Sequence, residues 1–373
     1  MTKAAELAKM GEVLTNSQIG GRRNIIYNGG QQIAQRSTSV TGLGADANAY
    51  QTVDRWRFLT NGTAGRYTLS QSTDTPNGFS FSTKIDVTTA DTSIAAGEYF
   101  FIRQLLEGQD VQQLKKGTSD AEKVTVSFYV KGNANATYLV ELEDADNGRL
   151  NSQTFNVTTS WTRVIKTFTA DTTGALDNDT ANSFNLGFWF HAGSTFTGGT
   201  HTSNTWASNS TTANRVSSGI TSIFDSTDRE FYITGIQLEV GEQATPFEHR
   251  SFGEELNLCR RYFTVLADGN RSVSEAICQG SYYTASILFH TVVLPVEMRA
   301  QPSMITANGT NYYITFANGG GDHHDAIARS GNSSKSVVEI TAETNVSATA
   351  GHSCFTRIGG TSADAKCMLE AEL

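Results

Sequence analysis

Two neighbouring imidazoles, His323 and His324, sit between Asp322 and Asp325 in a glycine-rich stretch that begins Asn318-Gly319-Gly320-Gly321. Imidazole beside carboxylate is metal-ligand chemistry, and one ring from each of three chains around a threefold axis would suit a transition ion. Successive residues of a strand point to opposite faces, so at most one of the two rings can look towards such an axis. A hydrophilic turn between two strands accounts for the same residues and is the preferred reading. Asp144, Asp146 and Asn147, closed by Gly148, offer oxygens at alternate positions in the manner of a calcium loop. The twelve-residue spacing and terminal glutamate of that loop are missing, and the stretch reads equally as a hairpin turn. Asp177-Asn178-Asp179 gives no stronger signal. No metal site and no cofactor is expected.

Catalytic signatures are also wanting. The chain has no Gly-x-Ser-x-Gly elbow, no His-Glu-x-x-His and no phosphate-cradling Gly-x-x-x-x-Gly-Lys. Its carboxylates cannot be paired across strands from sequence, as glycoside hydrolysis would require. The ladder-like repeats of a β-helical depolymerase are not seen. A non-enzymatic protein is expected. Cys259, Cys278, Cys354 and Cys367 form no Cys-x-x-Cys pair and read as buried free thiols.

Binding chemistry has better candidates. Sugar recognition uses aromatic faces with polar neighbours. Trp206 stands alone in a Thr/Ser/Asn-rich stretch and is expected to be exposed, while Tyr282-Tyr283 and Tyr312-Tyr313 are adjacent pairs. On a strand one ring of each pair faces the core and the other faces out. These five rings are the candidate glycan or receptor contacts, although each would also serve as packing against a neighbouring subunit.

The elements that hold these residues are mostly strands. Val124, Val126, Phe128 and Val130 alternate, as do Tyr138, Val140 and Leu142, and Phe184, Leu186, Phe188 and Phe190. Phe231 to Val240 makes a further strand with a bulge at Gly235. One or two helical turns are expected over 110–116, and a large polar surface loop over 193–218. Trp56 reads as core, with Arg55 and Arg57 facing outward or pairing with acids at a sheet edge. Period-2 strands with polar connections predict an all-β fold, an antiparallel jelly-roll β-sandwich over 23–250. Ser251-Phe252-Gly253-Glu254 is a capping box that opens a short linker helix to about 263, its apolar side carrying Leu256, Cys259 and Phe263. A smaller distal β domain follows over 264–373, with strands at 281–290, 291–296, 312–316, 336–340 and 354–358. Ahead of the sandwich, residues 1–22 form a short helix and hinge. Ala4, Leu7, Met10 and Leu14 share one stripe of it, and a helix this short needs something to dock on. Leu7, Met10 and Leu14 are the expected attachment contacts.

Composition narrows the class. Charged residues make up 17% of 373, Phe numbers 20 and Tyr 12, and there are only four prolines, which favours strands and polar turns around a sizeable core. A net charge of -9 without a basic stripe argues against nucleic acid. No apolar run is long enough to cross a bilayer as a helix, so no membrane insertion is expected. The opening Met1-Thr2-Lys3-Ala4-Ala5-Glu6 lacks an apolar leader, and synthesis in the cytoplasm is expected.

Several segments resemble a group of bacteriophage tail-fibre-like virion proteins with a carbohydrate-binding-module-like jelly-roll domain. They are Arg23-Asn24-Ile25-Ile26-Tyr27-Asn28-Gly29, Gln35-Arg36, Val53-Asp54-Arg55-Trp56, Leu106-Glu107-Gly108-Gln109-Asp110 and Trp189-Phe190. The longest is Tyr232-Ile233-Thr234-Gly235-Ile236-Gln237-Leu238-Glu239-Val240-Gly241, followed by Ala244 to Arg250 and then Glu254-Glu255-Leu256-Asn257-Leu258-Cys259-Arg260-Arg261-Tyr262. The resemblance covers roughly residues 23–263. It implies a virion appendage subunit, a homotrimer fixed by its N-terminus to other tail or virion proteins, with a distal β domain presented to a host-surface glycan. It brings no catalytic set. The alternatives are a head-attached fibre or decoration protein and, less favoured, a polysaccharide-degrading tailspike.

Overall fold

The computed structural model describes Lys3, residues 23–359 and residues 363–373. The expected helix carrying Leu7, Met10 and Leu14 lies outside the described residues. The chain divides into two compact units, Met1–Glu255 and Leu256–Leu373, and the division falls within helix α1 (Phe252–Arg260). The fold class is all-β.

In the first unit the strands are β1 (Ser39–Ala45), β2 (Asn48–Tyr50), β3 (Arg57–Asn61), β4 (Thr63–Ser72), β5 (Ser82–Thr89) and β6 (Tyr99–Glu107). They continue as β7 (Val124–Gly132), β8 (Ala136–Asp144), β9 (Arg149–Val157), β10 (Thr162–Phe168), β11 (Asn182–Ala192), β12 (Ala207–Ser208) and β13 (Glu230–Val240). Two antiparallel sheets result, ordered β1-β4-β5-β13-β7-β10 and β12-β9-β8-β11-β6-β3-β2. Their inner faces close over one apolar core. The alternating residues of β7, β8 and β11 meet there: Phe128 crosses Phe188 edge-on at 5.0 Å, and Tyr138 crosses Phe190 at 5.1 Å. Trp56 is core, as expected. Two single 3-10 turns, Gly108–Asp110 and Gln112–Leu114, lie in the connection from β6 to β7.

Arg55 does not face outward. It is wholly buried on a left-handed backbone, φ 72°, and donates to the Leu105 carbonyl at 2.7 Å. A buried guanidinium is tolerated where fixed oxygens receive it, and the left-handed turn aims it inward.

The polar stretch 193–218 is not a free surface loop. It packs back on the outer face of the seven-stranded sheet, where Val216 joins Leu59, Phe101, Leu139 and Trp189 in a second small core. Trp189 stacks on Phe101 at 4.4 Å, and Arg215 pairs with Glu141 at 2.6 Å and Glu143 at 3.2 Å. Strand β11 is thus buried on both faces, which is why Trp189 can follow the inward Phe188 in sequence.

The second unit contains β14 (Phe263–Asp268), β15 (Ala276–Tyr282), β16 (Leu288–Val293), β17 (Ser303–Thr306) and β18 (Tyr313–Ala317). After these come β19 (Gly320–His324), β20 (Ala328–Arg329), β21 (Val337–Ala342), β22 (Ser353–Ile358) and β23 (Lys366–Glu370). One sheet runs β14-β23-β17 and the other β19-β18-β22-β15-β16-β21-β20. The expected strand over 281–290 is instead a turn flanked by two strands. Tyr283 closes a short loop by donating to the Ile287 carbonyl at 2.9 Å, and the small residues between them extend no apolar face. The turn expected across 318–325 shrinks to Asn318 and Gly319, at φ 47° and 79°. Two successive positive φ values are the two-residue hairpin geometry that Asn-Gly favours, so Gly320 to His324 is free to pair as β19. Ser251 Oγ accepts the Glu254 amide at 3.3 Å and opens α1, as the capping box predicts. The helix ends at Arg260, and Phe263 belongs to β14.

Candidate functional site

Several of the segments that carry the sequence resemblance come from distant parts of the chain and meet at one buried polar node. Asn24 donates to the Ile236 carbonyl at 3.1 Å, and its Oδ1 accepts the amides of Ile26 and Leu238 at 3.0 and 3.1 Å. Asn28 donates to the carbonyls of Ile33 and Asp54 at 2.8 and 3.0 Å. Glu248 accepts the amides of Arg23 and Asn24 at 2.6 and 2.7 Å, and its own amide donates to Gln237 Oε1 at 2.8 Å. Arg250 reaches the Ile26 carbonyl at 3.0 Å, and Glu255 accepts the Asn28 amide. These bonds tie the start of the sandwich to the exit of its last strand. The node is architecture, with its polar atoms turned into the protein.

The surface with binding character lies on the outer face of the six-stranded sheet. Alternation along β7 sends Val126, Phe128 and Val130 inward, and Tyr129 and Lys131 outward. On β13, Tyr232 stands opposite Lys131 and Thr234 opposite Tyr129. Trp161 immediately precedes β10, whose Thr162 pairs with Val130. A row therefore crosses the sheet as Trp161, Lys131, Tyr232 and Lys84. The Lys131 ammonium is 5.8 Å from the Trp161 ring and 4.9 Å from the Tyr232 ring, and the Lys84 ammonium is 5.6 Å from Tyr232 on its far side. Such cation–ring contacts are worth about 0.5–1 kcal/mol each at exposed sites.

Acids fix the row. Asp74 accepts the Trp161 indole N–H at 3.0 Å and pairs with Lys131. The Lys131 hydrogen bond, with the indole and the charges of Lys131 and Lys84, holds the Asp74 carboxyl below the usual range against a burial effect that would raise it. Glu230 accepts from Lys84 at 2.7 Å and from the Tyr232 hydroxyl at 2.9 Å. Burial and that bond to Glu230 push the Tyr232 phenol up to about 12.

A second aromatic group adjoins the row. Phe79 lies 5.3 Å from Tyr129, 5.0 Å from Phe247 and 5.2 Å from His249. Gly235 makes this possible: its φ is +63°, and a Cβ there would come within 2.7 Å of Phe79 and 2.9 Å of Tyr129. The bulge expected at this glycine is present, a register shift between Thr234 and Gln237. Arg163 completes the edge, its guanidinium 5.9 Å from the Tyr129 ring while donating to Ser127 Oγ at 3.1 Å.

The five aromatic residues singled out from sequence are not brought together. Trp206 is half-buried: it packs on the sandwich core and donates to the Thr169 carbonyl at 2.7 Å. The Lys116 ammonium lies 5.4 Å from its ring. An exposed platform was expected there, but folding of 193–218 onto the sheet carries Trp206 down with it. Tyr282 and Tyr313 are the inward members of their pairs and are buried. Tyr313 donates to the carbonyls of Ala307 and Lys366, both at 2.8 Å, so neither of these rings can serve as a platform. Tyr283 is 69% exposed, and Tyr312 is half-buried. They lie at opposite ends of β22, since Tyr282 bonds to His352 while Tyr313 pairs with Ile358.

The calcium-loop candidate is also answered. Asp144 is buried against Lys116, which in turn lies 3.1 Å from Asp171 and donates to the carbonyls of Thr173 and Gly174. A lysine ammonium occupies the place a cation would take. His323 is exposed and His324 buried, as strand alternation requires. A cleft of about 410 Å³ beside Gln112, Lys115, Lys116 and Leu176 has no aromatic residue in its lining. All four cysteines are free; burial raises the thiols of Cys278 and Cys354 and pushes that of Cys367 up to about 12. No helix among the described residues is long and apolar enough to cross a membrane.

No protein-family model matches the sequence, and no curated protein matches it. Solved structures share a weak likeness with the chain. A family 4 carbohydrate-binding module has 12% identity and a TM-score of 0.30, with 58% of this chain and 99% of that one covered. The family 11 carbohydrate-binding module of the Clostridium thermocellum cellulase Lic26A-Cel5E has 13% identity and a TM-score of 0.28, covering 56% and 99%. TmCBM61, solved with β-1,4-galactotriose, has 10% identity and a TM-score of 0.30, covering 59% and 99%. At these scores what the chain binds has to be argued from its own surface.

Proposed function

We propose that this chain is a non-enzymatic structural subunit of a bacteriophage virion, of tail-fibre type, attached through its N-terminal segment and contributing to recognition of a host-surface glycan. The observation that carries the glycan reading is the row Trp161–Lys131–Tyr232–Lys84, where aromatic rings lie between hydrogen-bonding charges on an outer sheet face. Sugar rings offer C–H faces to aromatic rings and hydroxyls to charged neighbours; the half-buried Trp161 offers the ring and Lys131 and Lys84 the charges, while the buried Tyr232 holds the two lysines in line. The virion reading rests on the sequence resemblance over 23–263.

The test has two arms. Trp161→Ala removes the outer ring of the row, and binding of the purified chain to host-envelope polysaccharide, followed by calorimetry, is expected to weaken at least tenfold with the fold intact. Antibody against residues 264–373 is expected to label an external appendage of purified particles in the electron microscope. Equal binding by the wild-type chain and the variant would remove the glycan from this face, and unlabelled particles would remove the virion role.

A further inference from the structure

A second constellation lies away from this surface, where the two sheets of the sandwich are joined. Asp91 follows β5 of one sheet, Glu98 precedes β6 of the other, and His191 lies near the end of β11 beside β6. Numbers 91, 98 and 191 carry no spacing signal; the fold alone assembles them. One donor atom from each lies within 4.8 Å of the others, and all three residues are more than nine-tenths buried.

Their polar atoms are only partly used. Asp91 Oδ2 accepts from Thr63 Oγ1 and the Ala64 amide, each at 2.8 Å, and Oδ1 accepts the Ser93 amide at 3.2 Å. His191 Nδ1 is 2.8 Å from Ser222 Oγ, which also accepts the Phe224 amide at 3.1 Å. The remaining two atoms, His191 Nε2 and Glu98 Oε2, face each other at 3.4 Å, and neither makes a hydrogen bond. Among the described residues no lysine or arginine pairs with Asp91 or Glu98. Two carboxylates and an imidazole thus meet in the interior with two facing donor atoms left without a hydrogen bond, which is costly.

We infer that Asp91, Glu98 and His191 form a binding site for one divalent transition ion, zinc first. The ligand set is one imidazole nitrogen and two carboxylate oxygens, which suits zinc or manganese, whereas calcium takes six to eight oxygens. Tetrahedral ligands about 2.0–2.1 Å from zinc stand about 3.4 Å apart, the separation of Nε2 from Oε2. Ser222 Oγ can accept a hydrogen bond from the Nδ1–H of His191 and so leave Nε2 as the ligand, the usual arrangement behind a metal-bound imidazole. The backbone already holds these residues: Asp91 donates to the Phe224 carbonyl at 2.8 Å, and the Glu98 carbonyl accepts the Gly193 amide at 2.8 Å. A bound ion would clamp the exposed connection 92–97 and lock the two sheets together at that end.

The full chain, stripped with chelator and returned to pH 7.5, is titrated with zinc chloride and with manganese chloride by calorimetry. Hydrogen exchange is read over 89–99 and 188–193. One equivalent of zinc is expected, with slower exchange confined to those segments. Glu98→Gln, whose amide can bond to the imidazole in place of the ion, is expected to lower affinity at least a hundredfold and abolish the protection. If Glu98→Gln fails to fold, the wild-type exchange map decides the matter. No binding of either metal by the wild-type chain overturns the site, as does zinc-dependent protection elsewhere only, or undiminished affinity in folded Glu98→Gln and His191→Gln variants.

Discussion

At the scale of the residue, burial decides what each polar side chain does. Asn24 is 2% exposed and satisfies three backbone groups that belong to two separate segments. Replacing it with alanine leaves the amides of Ile26 and Leu238 and the carbonyl of Ile236 buried without those partners. Each orphaned group costs about 1–3 kcal/mol, partly relieved by water or relaxation. Asn24→Ala is therefore expected to destabilise the first unit by about 3 kcal/mol. Urea denaturation followed by tryptophan emission is the measurement, because Trp56, Trp161, Trp189 and Trp206 all belong to that unit. An unchanged midpoint would show that the node is not structural. Sequence reading goes some way here: Asn24 and Asn28 stand in the segments that carry the resemblance, and their architectural character follows from burial. It fails at Trp206, whose polar surroundings in sequence say nothing of the sheet onto which the segment folds. It also fails for the row on the outer sheet face, because Lys84, Lys131, Trp161 and Tyr232 lie on or beside four different strands and meet only through pairing register.

At the scale of the element, alternation was the most legible signal. Val124 to Val130 and Phe184 to Phe190 fall on the inner face as period 2 requires, and Gly235 holds its bulge. Strands such as β14, β17 and β23 escaped notice because three short segments separated by long stretches of chain carry little periodicity of their own. The inner face of the larger sheet of the second unit holds a line of polar residues that only strand register reveals. His290 Nε2 is 3.0 Å from Thr356 Oγ1, Thr356 is 2.6 Å from Thr315 Oγ1, and Thr315 is 2.9 Å from His324 Nε2. Burial lowers the His290 pKa from 6.5 to about 4, and burial lowers that of His324 as well. The unfolded chain then binds more protons than the folded one between pH 6.5 and 4. Stability is therefore full above that window and falls as the pH falls through it, by roughly 3 kcal/mol from His290 alone. All four cysteines lie in the second unit, so thiol protection in a brief pH 7.5 pulse after equilibration in urea at each pH reports on it. The midpoint is expected to drop between pH 6.5 and 4.5, and His290→Asn to flatten that slope. A slope unaltered in the variant would assign the acid sensitivity to other groups.

At the scale of the whole molecule, the larger sheet of the second unit carries exposed apolar side chains. Its inner face is a core, and its outer face sets exposed apolar side chains among polar ones such as Gln279, Thr291 and Glu339. Val293 is 75% exposed beside its pairing partner Val337, and Phe355, 48% exposed, stacks on Phe316 at 5.2 Å. Tyr283, the most exposed of the tyrosines singled out from sequence, lies 5.6 Å from Phe289 on the same face. Exposed apolar side chains on a small β unit are a surface that association removes from water, and closed symmetry lets copies of one chain cover them without leaving a free edge. The sequence resemblance supplies the expected number, three. Light scattering of the purified chain is therefore expected to give three chain masses, and removal of residues 1–22 is expected to leave that value unchanged, which would keep the N-terminal segment free for attachment. The double substitution Val293→Glu, Phe355→Glu places charge on this face and is expected to yield monomer, while the tryptophan and thiol transitions stay where they were. A full-length chain that is monomeric would sink self-association and favour a subunit that orders only on its particle. A trimer that survives the double substitution would move the contact off this sheet and leave Tyr283, Phe289 and Phe355 as candidates for the host-facing surface.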